Sequence, residues 1–538
     1  QVVETANVDK IENEAGSIQL GSLISNEVIN KGTLIVKKDQ GLSEIREALS
    51  NAEKASILVY HDLKAGTIDN DGVLRVDGTL TAETLDNASG ANVVAGNADV
   101  DGIENFGNLG VEGYIKADTL SNHGAMSAGS LEVSANFTNA GTAGVVEDAS
   151  VAGKLTNTSE GDLIVGGKLS AAEIDNDGTL MAGSLDVTKY TNAGDAGVGG
   201  DATVGTLMNT GDLTVSGNAT VNGVGDNKKT MIVAQKLTTN DVFFNHAGAE
   251  LTVGGDADFN DVFANQGTAV INGVATVAQG VNAGEATLKV NGDLTVEESL
   301  DNQNVLTVFG ALGVEGNLDN SGKTFVDGAL TVDGTLTQTA GEFLAIGGES
   351  GNVVSGAVDV KGGKFTLGET TTTAGAVMTA TNGSTVQMVA ADDKLAGRIN
   401  VDGATFTLGS DLPETLSNVD EPQHEVSSLF NMNQQTVDLG ADGIIAVGDG
   451  ADENRFALVE EMADRRIIAQ EDGFIEVAPG CLAQVVDTVE VAVHFDVIGE
   501  ENDFFQGVHL FRPGRVVGDG PQEGRVGNAI ALLGDGHG

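Results

Sequence analysis

The feature that most constrains the fold is a repeat with a period of 17 to 18 residues. One clear copy, residues 72–87, reads GVLRVDGTLTAETLDN and ends in an asparagine. Other copies end in the same way, with steps of 16 to 19 residues between their closing asparagines. A fixed period of this length indicates a repeat architecture. The closing asparagines are Asn70, Asn87, Asn105, Asn122, Asn139, Asn157, Asn176, Asn192 and Asn209, followed less regularly by Asn245, Asn265, Asn282, Asn302 and Asn320.

One copy of the repeat predicts one coil of a β-solenoid. Leu74, Val76, Leu80 and Ala82 alternate with polar residues, which is the period of a half-buried strand. Gly78 separates the two short strands, and we expect a turn with positive φ there. A single copy cannot bury its apolar face, so the copies must stack, which would let the asparagine amides bond as a ladder. Separate hairpins or a sandwich would instead space the strands irregularly, by roughly 8–12 residues.

Two segments near the amino terminus depart from the repeat. Residues 1–15 are polar and acidic and are interpreted as a tail or cap, with the repeats running over residues 16–410. Within them, residues 40–54 carry Leu42, Ile45, Leu49 and Ala52 at helical spacing, which predicts a short inserted helix. That helix would either cover an open solenoid edge or bind a partner, and the sequence leaves both roles open.

A change in composition near residue 411 predicts a domain boundary. All five prolines follow residue 412, and Lys394 is the last lysine. Proline removes a ladder hydrogen bond from stacked strands, so its absence before residue 412 fits a solenoid. Residues 411–538 are therefore predicted to form a smaller, mixed C-terminal domain for assembly or capping.

Charge and cysteine content exclude several classes of function. The chain has 79 acidic and 27 basic residues, a net charge of −52, which disfavours binding to nucleic acid or anionic membranes. Its 40% hydrophobic content is too high for a disordered protein. No apolar run of about 20 residues predicts membrane insertion. Cys481 is the one cysteine, so no intrachain disulfide is possible. A start at Gln1 fits a removed signal peptide, although a proteolysed or recombinant fragment would begin in the same way.

Short acidic motifs suggest calcium only weakly. Residues 69–72 and 175–178 both read DNDG, and residues 97–102 match the first half of an EF-hand loop. Position twelve of that loop would be Asn108 rather than a bidentate glutamate. Because aspartate and asparagine are ordinary turn residues, we predict no cofactor and no specific metal site, with non-specific calcium binding as the remaining possibility.

The sequence also gives only weak evidence for a catalytic site. Asp392, Asp393 and Lys394 with Arg398 form the one local cluster that a polysaccharide lyase or hydrolase could use. We interpret it as a polar loop, because neighbouring coils offer no supporting groups. The seven histidines show no metal-ligand spacing. The chain is therefore predicted not to be an enzyme.

The repeats resemble those of filamentous-haemagglutinin-type exoproteins and autotransporter passenger domains. The resemblance is clearest in residues 161–194, GDLIVGGKLSAAEIDNDGTLMAGSLDVTKYTNAG, and covers roughly residues 16–322, more weakly to 410. It implies a right-handed β-helix, secretion and a role at the cell surface.

The predicted fold is thus an all-β, right-handed β-solenoid followed by a mixed domain. The first functional hypothesis is an extracellular or cell-surface structural protein whose partner is itself, assembling into a filament, tube or surface layer. The alternative is a secreted adhesin that binds glycans or proteins at a cell surface, and a polysaccharide-degrading enzyme comes third. Arginine holds carboxylates bidentately. The candidate subunit contacts are therefore the C-terminal arginines Arg455, Arg465, Arg466, Arg512, Arg515 and Arg525.

Overall fold

A computed structural model describes residues 2–37, 42–388, 394–402 and 404–408, and seven short strands between residues 429 and 511. The chain is an all-β, parallel β-solenoid of about 21 turns. No helix occurs in these described ranges. Two compact units divide the chain, unit 1 over residues 1–275 and unit 2 over residues 276–538.

The strands of unit 1 are β1 Val2–Asn13, β2 Ser17–Asn30, β3 Thr33–Val36, β4 Ser43–Asn51, β5 Ser56–Val59, β6 Leu63–Asn70, β7 Val73–Asn87, β8 Asn92–Asn105, β9 Asn108–Val111, β10 Tyr114–Asn122, β11 Ala125–Ala128, β12 Ser130–Asn139, β13 Thr142–Val145, β14 Ala149–Asn157, β15 Asp162–Asn176, β16 Thr179–Asn192, β17 Asp195–Val198, β18 Ala202–Asn209, β19 Asp212–Val215, β20 Ala219–Val221, β21 Gly225–Asn227, β22 Thr230–Val233, β23 Leu237–Thr239, β24 Phe243–Asn245, β25 Glu250–Val253, β26 Ala257–Asn265 and β27 Thr268–Ile271.

The remaining strands are β28 Ala275–Asn282, β29 Thr287–Val290, β30 Leu294–Asn302, β31 Val305–Val308, β32 Leu312–Val314, β33 Asn317–Asn320, β34 Lys323–Val326, β35 Leu330–Val332, β36 Thr335–Gln338, β37 Glu342–Ala345, β38 Asn352–Val354, β39 Ala357–Val360, β40 Lys364–Leu367, β41 Thr370–Thr381, β42 Thr385–Met388, β43 Lys394–Asp402, β44 Thr405–Leu408, β45 Leu429–Phe430, β46 Thr436–Leu439, β47 Ile444–Val447, β48 Arg455–Phe456, β49 Ile467–Ala469, β50 Ala492–Phe495 and β51 Val508–Phe511.

A representative coil shows how the sequence pattern becomes a core. In β9 and in each half of β10, every second residue points inward, and the inward side chains are buried. The pairing of β10 with β12 shifts between Ala117 and Thr119, so β10 bends and the coil has three straight segments. Burying one such Leu or Ile contributes about 1.5–3 kcal/mol, which the coil gains only when its neighbours cover it. The inward residues are Leu109, Val111, Ile115, Ala117, Leu120 and Asn122.

The helix predicted over residues 40–54 is wrong. Residues 43–51 form β4, which pairs in parallel with β2 and β6. The pairing of β4 with β6 shifts between Ile45 and Ala48, so an extra residue lies at the bend. Ile45 and Leu49 both point inward, whereas Glu47, which strict alternation would also turn inward, is exposed at the bend. A bent strand thus reproduces the spacing of a helical face.

The repeats also begin earlier than predicted. Residues 2–13 form β1, a strand paired in parallel with β2, and Asn13 lies opposite Asn30. This segment is a coil strand rather than a tail.

Most of the predicted C-terminal domain lies outside the described residues. Of its described strands, β46 and β47 pair in parallel with β43 and β44, so pairing of the solenoid kind extends past residue 411. Strands β50 and β51 instead pair antiparallel.

Candidate functional site

The most regular feature of unit 1 is a ladder of buried asparagine side chains at the end of each coil. In every rung the Nδ2 of one asparagine donates to the Oδ1 of the next at 2.7–2.8 Å, always in the same direction. The confirmed ladder consists of Asn13, Asn30, Asn51, Asn70, Asn87, Asn105, Asn122, Asn139, Asn157, Asn176, Asn192, Asn209, Asn227, Asn245 and Asn265.

Each rung also secures the backbone of the corner. Asn70 Nδ2 donates to the carbonyl oxygen of Gly72 at 3.1 Å and to that of Asn92 at 3.2 Å, in addition to Asn87 Oδ1. A buried amide without partners would cost about 1–3 kcal/mol, and here the donors are satisfied. The ladder therefore fixes both the turn and the register of neighbouring coils.

Three rungs were missed: Asn13, because residues 1–15 were interpreted as a tail or cap, and Asn51 and Asn227, because their corners lack the Asn-x-Gly signal. Asn51 is followed by a longer corner in which Lys54 has φ 65°, a left-handed conformation that glycine usually supplies. Asn227 is followed by Lys228 and Lys229, so lysine stands where the motif has glycine. The 17–18-residue period was the remaining signal for Asn227, whereas Asn51 lies 21 residues after Asn30 and 19 before Asn70.

In the Asn-x-Gly corners of unit 1 the glycine is needed for close approach between coils, whereas Gly16, Gly90 and Gly248, each three residues after its asparagine, have positive φ. A Cβ on Gly124 would overlap the carbonyl oxygen of Gly107 in the preceding coil. At Gly78, where we expected positive φ, the backbone is not left-handed, and a Cβ would instead overlap Asp62 Oδ1. That expectation was wrong, because stacking rather than turn geometry excludes a side chain.

A second corner, which the sequence reasoning did not identify, uses an acidic or amide side chain to bind the next coil. Asp62 Oδ1 accepts from the backbone N–H of Thr79 at 2.8 Å, and Asp148 Oδ1 from that of Lys168 at 2.7 Å. Asp201 does the same for Asn218. Each stands directly before an inward apolar residue, and that Asp/Asn–apolar dipeptide was the available sequence signal.

Part of the acidic surface is a row of carboxylates on consecutive coils. Asp69 pairs with Asp86, and Asp86 with Glu104. The pKa of Asp69 is raised by burial first and then by Asp71 and Asp86, and the pKa of Asp86 is raised by burial, Glu104 and Asp71. Within the described ranges, no group of three or more His, Cys, Asp or Glu side chains is arranged to hold a metal ion.

Ser43 and His61 form a serine–histidine contact. Ser43 Oγ lies 2.9 Å from His61 Nε2, and the backbone N–H of Leu23 donates to Ser43 Oγ at 3.2 Å. Burial lowers the pKa of His61, which favours a neutral ring. Because Ser43 is fully buried, its hydroxyl cannot reach a substrate, and the pair serves to join coils.

Most of the sequence-predicted site residues lie outside the described residues, including Asp392 and Asp393. Lys394 and Arg398 lie in β43, and Arg455 begins the two-residue strand β48. The other predicted contacts, also outside, are Arg465, Arg466, Arg512, Arg515 and Arg525.

Two surface features of unit 1 could contact a ligand or partner. A shallow notch of about 330 Å³ is lined by Gly197, Gly199, Met181, Thr214 and Ser216, with the acidic residues Asp195 and Asp212 also in its lining. Elsewhere, the rings of Phe106 and His123 stack at 4.6 Å with an interplanar angle of 8°. Both rings are solvent-exposed.

No protein-family model, curated protein or solved structure matches the chain. Within the described residues, no helix is long and apolar enough to cross a membrane.

Proposed function

We propose that this chain is an extracellular structural protein, a β-solenoid subunit that assembles with itself into a filament, tube or surface layer. The observation that carries the proposal is the asparagine ladder of unit 1, because bonded, buried rungs make each coil a rigid extension of the last. A rigid solenoid of this kind suits a structural role better than a catalytic one. The repeat-class resemblance to filamentous-haemagglutinin-type exoproteins supports secretion and a surface location.

Electron microscopy of the purified full chain, with sedimentation at rising protein concentration, tests this function. Ordered polymers of uniform width are expected. A chain that stays monomeric at all concentrations would contradict the structural proposal. If the C-terminal arginines make the contacts through ion pairs, added salt should weaken the assembly, because screening reduces attraction between exposed charges.

The second candidate function is adhesion to glycans or proteins of a cell surface. The exposed stack of Phe106 on His123 favours it, because aromatic faces are common contact surfaces for such ligands. The double variant Phe106→Ala/His123→Ala should lose binding on glycan or cell-surface arrays if this stack is the contact. Equal binding by the variant would remove the stack from consideration.

We further propose that the chain has no enzymatic activity and no cofactor, and that calcium associates only non-specifically with its acidic surface. Turnover of an acidic polysaccharide that Asp393→Asn abolishes would overturn the first statement. Saturable calcium binding that Asp69→Asn abolishes would overturn the last.

A further inference from the structure

The outward face of one sheet in unit 1 carries a long uncharged strip. The sheet is formed by the first strand of each coil, and its central outward residues lie opposite one another on consecutive coils. From Val94 to Val270 none of them is charged, although the whole chain has a net charge of −52; one coil before Val94, the same position is occupied by Arg75. This central column is Val94, Gly110, Ser127, Gly144, Ile164, Met181, Gly197, Thr214, Ile232, Thr252 and Val270.

The strip also carries exposed apolar side chains between its glycine, serine and threonine residues. Ile164 is 49% exposed, Met181 48% and Ile232 38%, and Val146 beside the column is 76% exposed. The other outward columns of unit 1 carry carboxylates, Glu132 on the second segment of the coil being one. Contiguous exposed apolar surface of this kind marks interaction sites.

The corresponding column in unit 2 is covered. Phe325 and Leu344 occupy the central outward position of β34 and β37, and both are buried. Phe309 and Ile346, from the same chain, pack against them. The covering groups in unit 2 are thus apolar side chains of this protein, whereas the strip of unit 1 is bare.

We propose that the strip is a homotypic interface, which a second copy of this chain covers with the same strip. This inference rests on the proposed self-assembly and names the surface that performs it. Two copies with a net charge of −52 each repel unless they meet through uncharged surface, and this strip provides it. At about 4.8 Å per coil the strip is roughly 50 Å long and roughly 13 Å wide, so two copies would bury on the order of 1,200 Å², the lower limit for a specific interface.

The centre of the strip is self-complementary. Met181, on one coil, lies over Gly197 of the next coil and forms one wall of the notch above Gly197 and Gly199. A two-fold axis parallel to the strands and halfway between these coils would bring each Met181 to the notch of the other copy. Methionine is flexible enough to leave its present position over Gly197 and fill that notch.

The decisive comparison is between Met181→Glu and Met208→Glu in the full chain. Met208 is a methionine of similar exposure, 41% against 48% for Met181, in a neighbouring coil and on a different outward column, so it controls for charge and for lost apolar surface. Sedimentation velocity should show that wild type and Met208→Glu associate alike, and that Met181→Glu associates at least tenfold more weakly. Association should strengthen from about 0.05 to about 0.5 M salt, since screening reduces repulsion between the acidic copies.

Three results would overturn the inference: equal association of Met181→Glu and wild type, a wild-type chain that stays monomeric at every salt concentration, or association that weakens with salt. A bimane label on Met181→Cys, in a Cys481→Ala background, separates a second copy from the chain's own segments. Protection that appears only as association proceeds supports the interface. Protection already complete in the dilute monomer means that the chain covers its own strip, and contradicts it.

The two proposals can fail separately. Ordered polymers that Met181→Glu still forms would leave the structural function standing and remove the strip. Salt-strengthened dimers that Met181→Glu abolishes, without any ordered polymer, would support the strip and remove the proposed function.

Discussion

The residue that closes each coil differs between unit 1 and the later coils of unit 2, although Asn282, Asn302 and Asn320 continue the ladder at the start of unit 2. In unit 1 it is a buried asparagine in every rung of the ladder from Asn13 to Asn265. In unit 2, after Asn320, the same position is occupied by Gln338, Val360 and Ala380 on successive strands. These residues are also buried, at 0%, 1% and 3% exposure.

The difference separates two requirements of a stacked coil. Stacking needs an inward side chain at the closing position, and valine or alanine meets that need. The amide adds register, because it bonds only when the next amide lies directly opposite, whereas an apolar side chain tolerates a slip. Unit 1 therefore specifies its register at each corner, and the far coils of unit 2 rely on their remaining contacts.

Replacing a rung in unit 1 should have the largest effect. Asn139→Leu leaves the Nδ2 of Asn122 and the Oδ1 of Asn157 without their partner. With about 1–3 kcal/mol for each unpaired buried group, the variant should lose about 3 kcal/mol of unfolding free energy. The matched variant Val360→Leu changes the same position where there is no amide, and should lose less than about 1.5 kcal/mol. Denaturant midpoints and hydrogen exchange in the neighbouring coils measure both; equal losses would contradict the role of the ladder.

The close approach at the corner gives the next largest effect. In Gly124→Ala the added methyl group overlaps the carbonyl oxygen of Gly107, and we expect a loss of about 1–3 kcal/mol. Gly144→Ala is the control, since its Cβ meets nothing within 4 Å. It should be neutral or slightly stabilising in the same denaturation experiment. If both variants behave alike, stacking does not explain the corner glycines.

A satisfied ladder amide can also be compared with a buried polar group that lacks a partner. Among the described side chains, the Tyr190 hydroxyl is fully buried without a hydrogen-bond partner, and burial strongly raises its pKa. Tyr190→Phe should therefore stabilise unit 1 by about 1 kcal/mol, read from the denaturation midpoint. A loss of stability would show that the hydroxyl has a partner in solution.

The smallest expected effect concerns the carboxylate row of unit 1. Because the folded-state pKa values of Asp69 and Asp86 are raised, their ionisation destabilises the fold at neutral pH. Stability should rise as the pH falls from neutral through these raised values towards the ordinary value of 3.8. Asp86→Asn should raise the melting temperature at neutral pH and flatten this dependence.

Glu173→Gln provides the opposite control. Lys189 and Lys154 lower the pKa of Glu173, so its charge is favourable at neutral pH and its loss should slightly lower the melting temperature. A shift in the same direction for both variants would contradict the electrostatic explanation.

Periodicity and composition by themselves determined the β-solenoid fold, the inward residues and most rungs of the ladder. The alternation of apolar and polar residues determines which side chains face inward, and the repeat period of 17–18 residues places each asparagine opposite the next. These are properties of a single coil repeated along the chain, so they can be predicted from the sequence.

Contacts between coils decided the rest. The spacing of Ile45 and Leu49 predicts a helix, and only the pairing with the partner strands reveals a bend between them. Gly225 lacks an inward side chain, and the ring of Phe243 in the next coil fills that space. Likewise, Met181 is exposed and Phe325 buried at corresponding outward positions, although both are apolar residues on a strand. The apolar and polar alternation within a coil determines which way a side chain points. What lies opposite it depends on residues one coil away or farther, and only the folded chain brings those together.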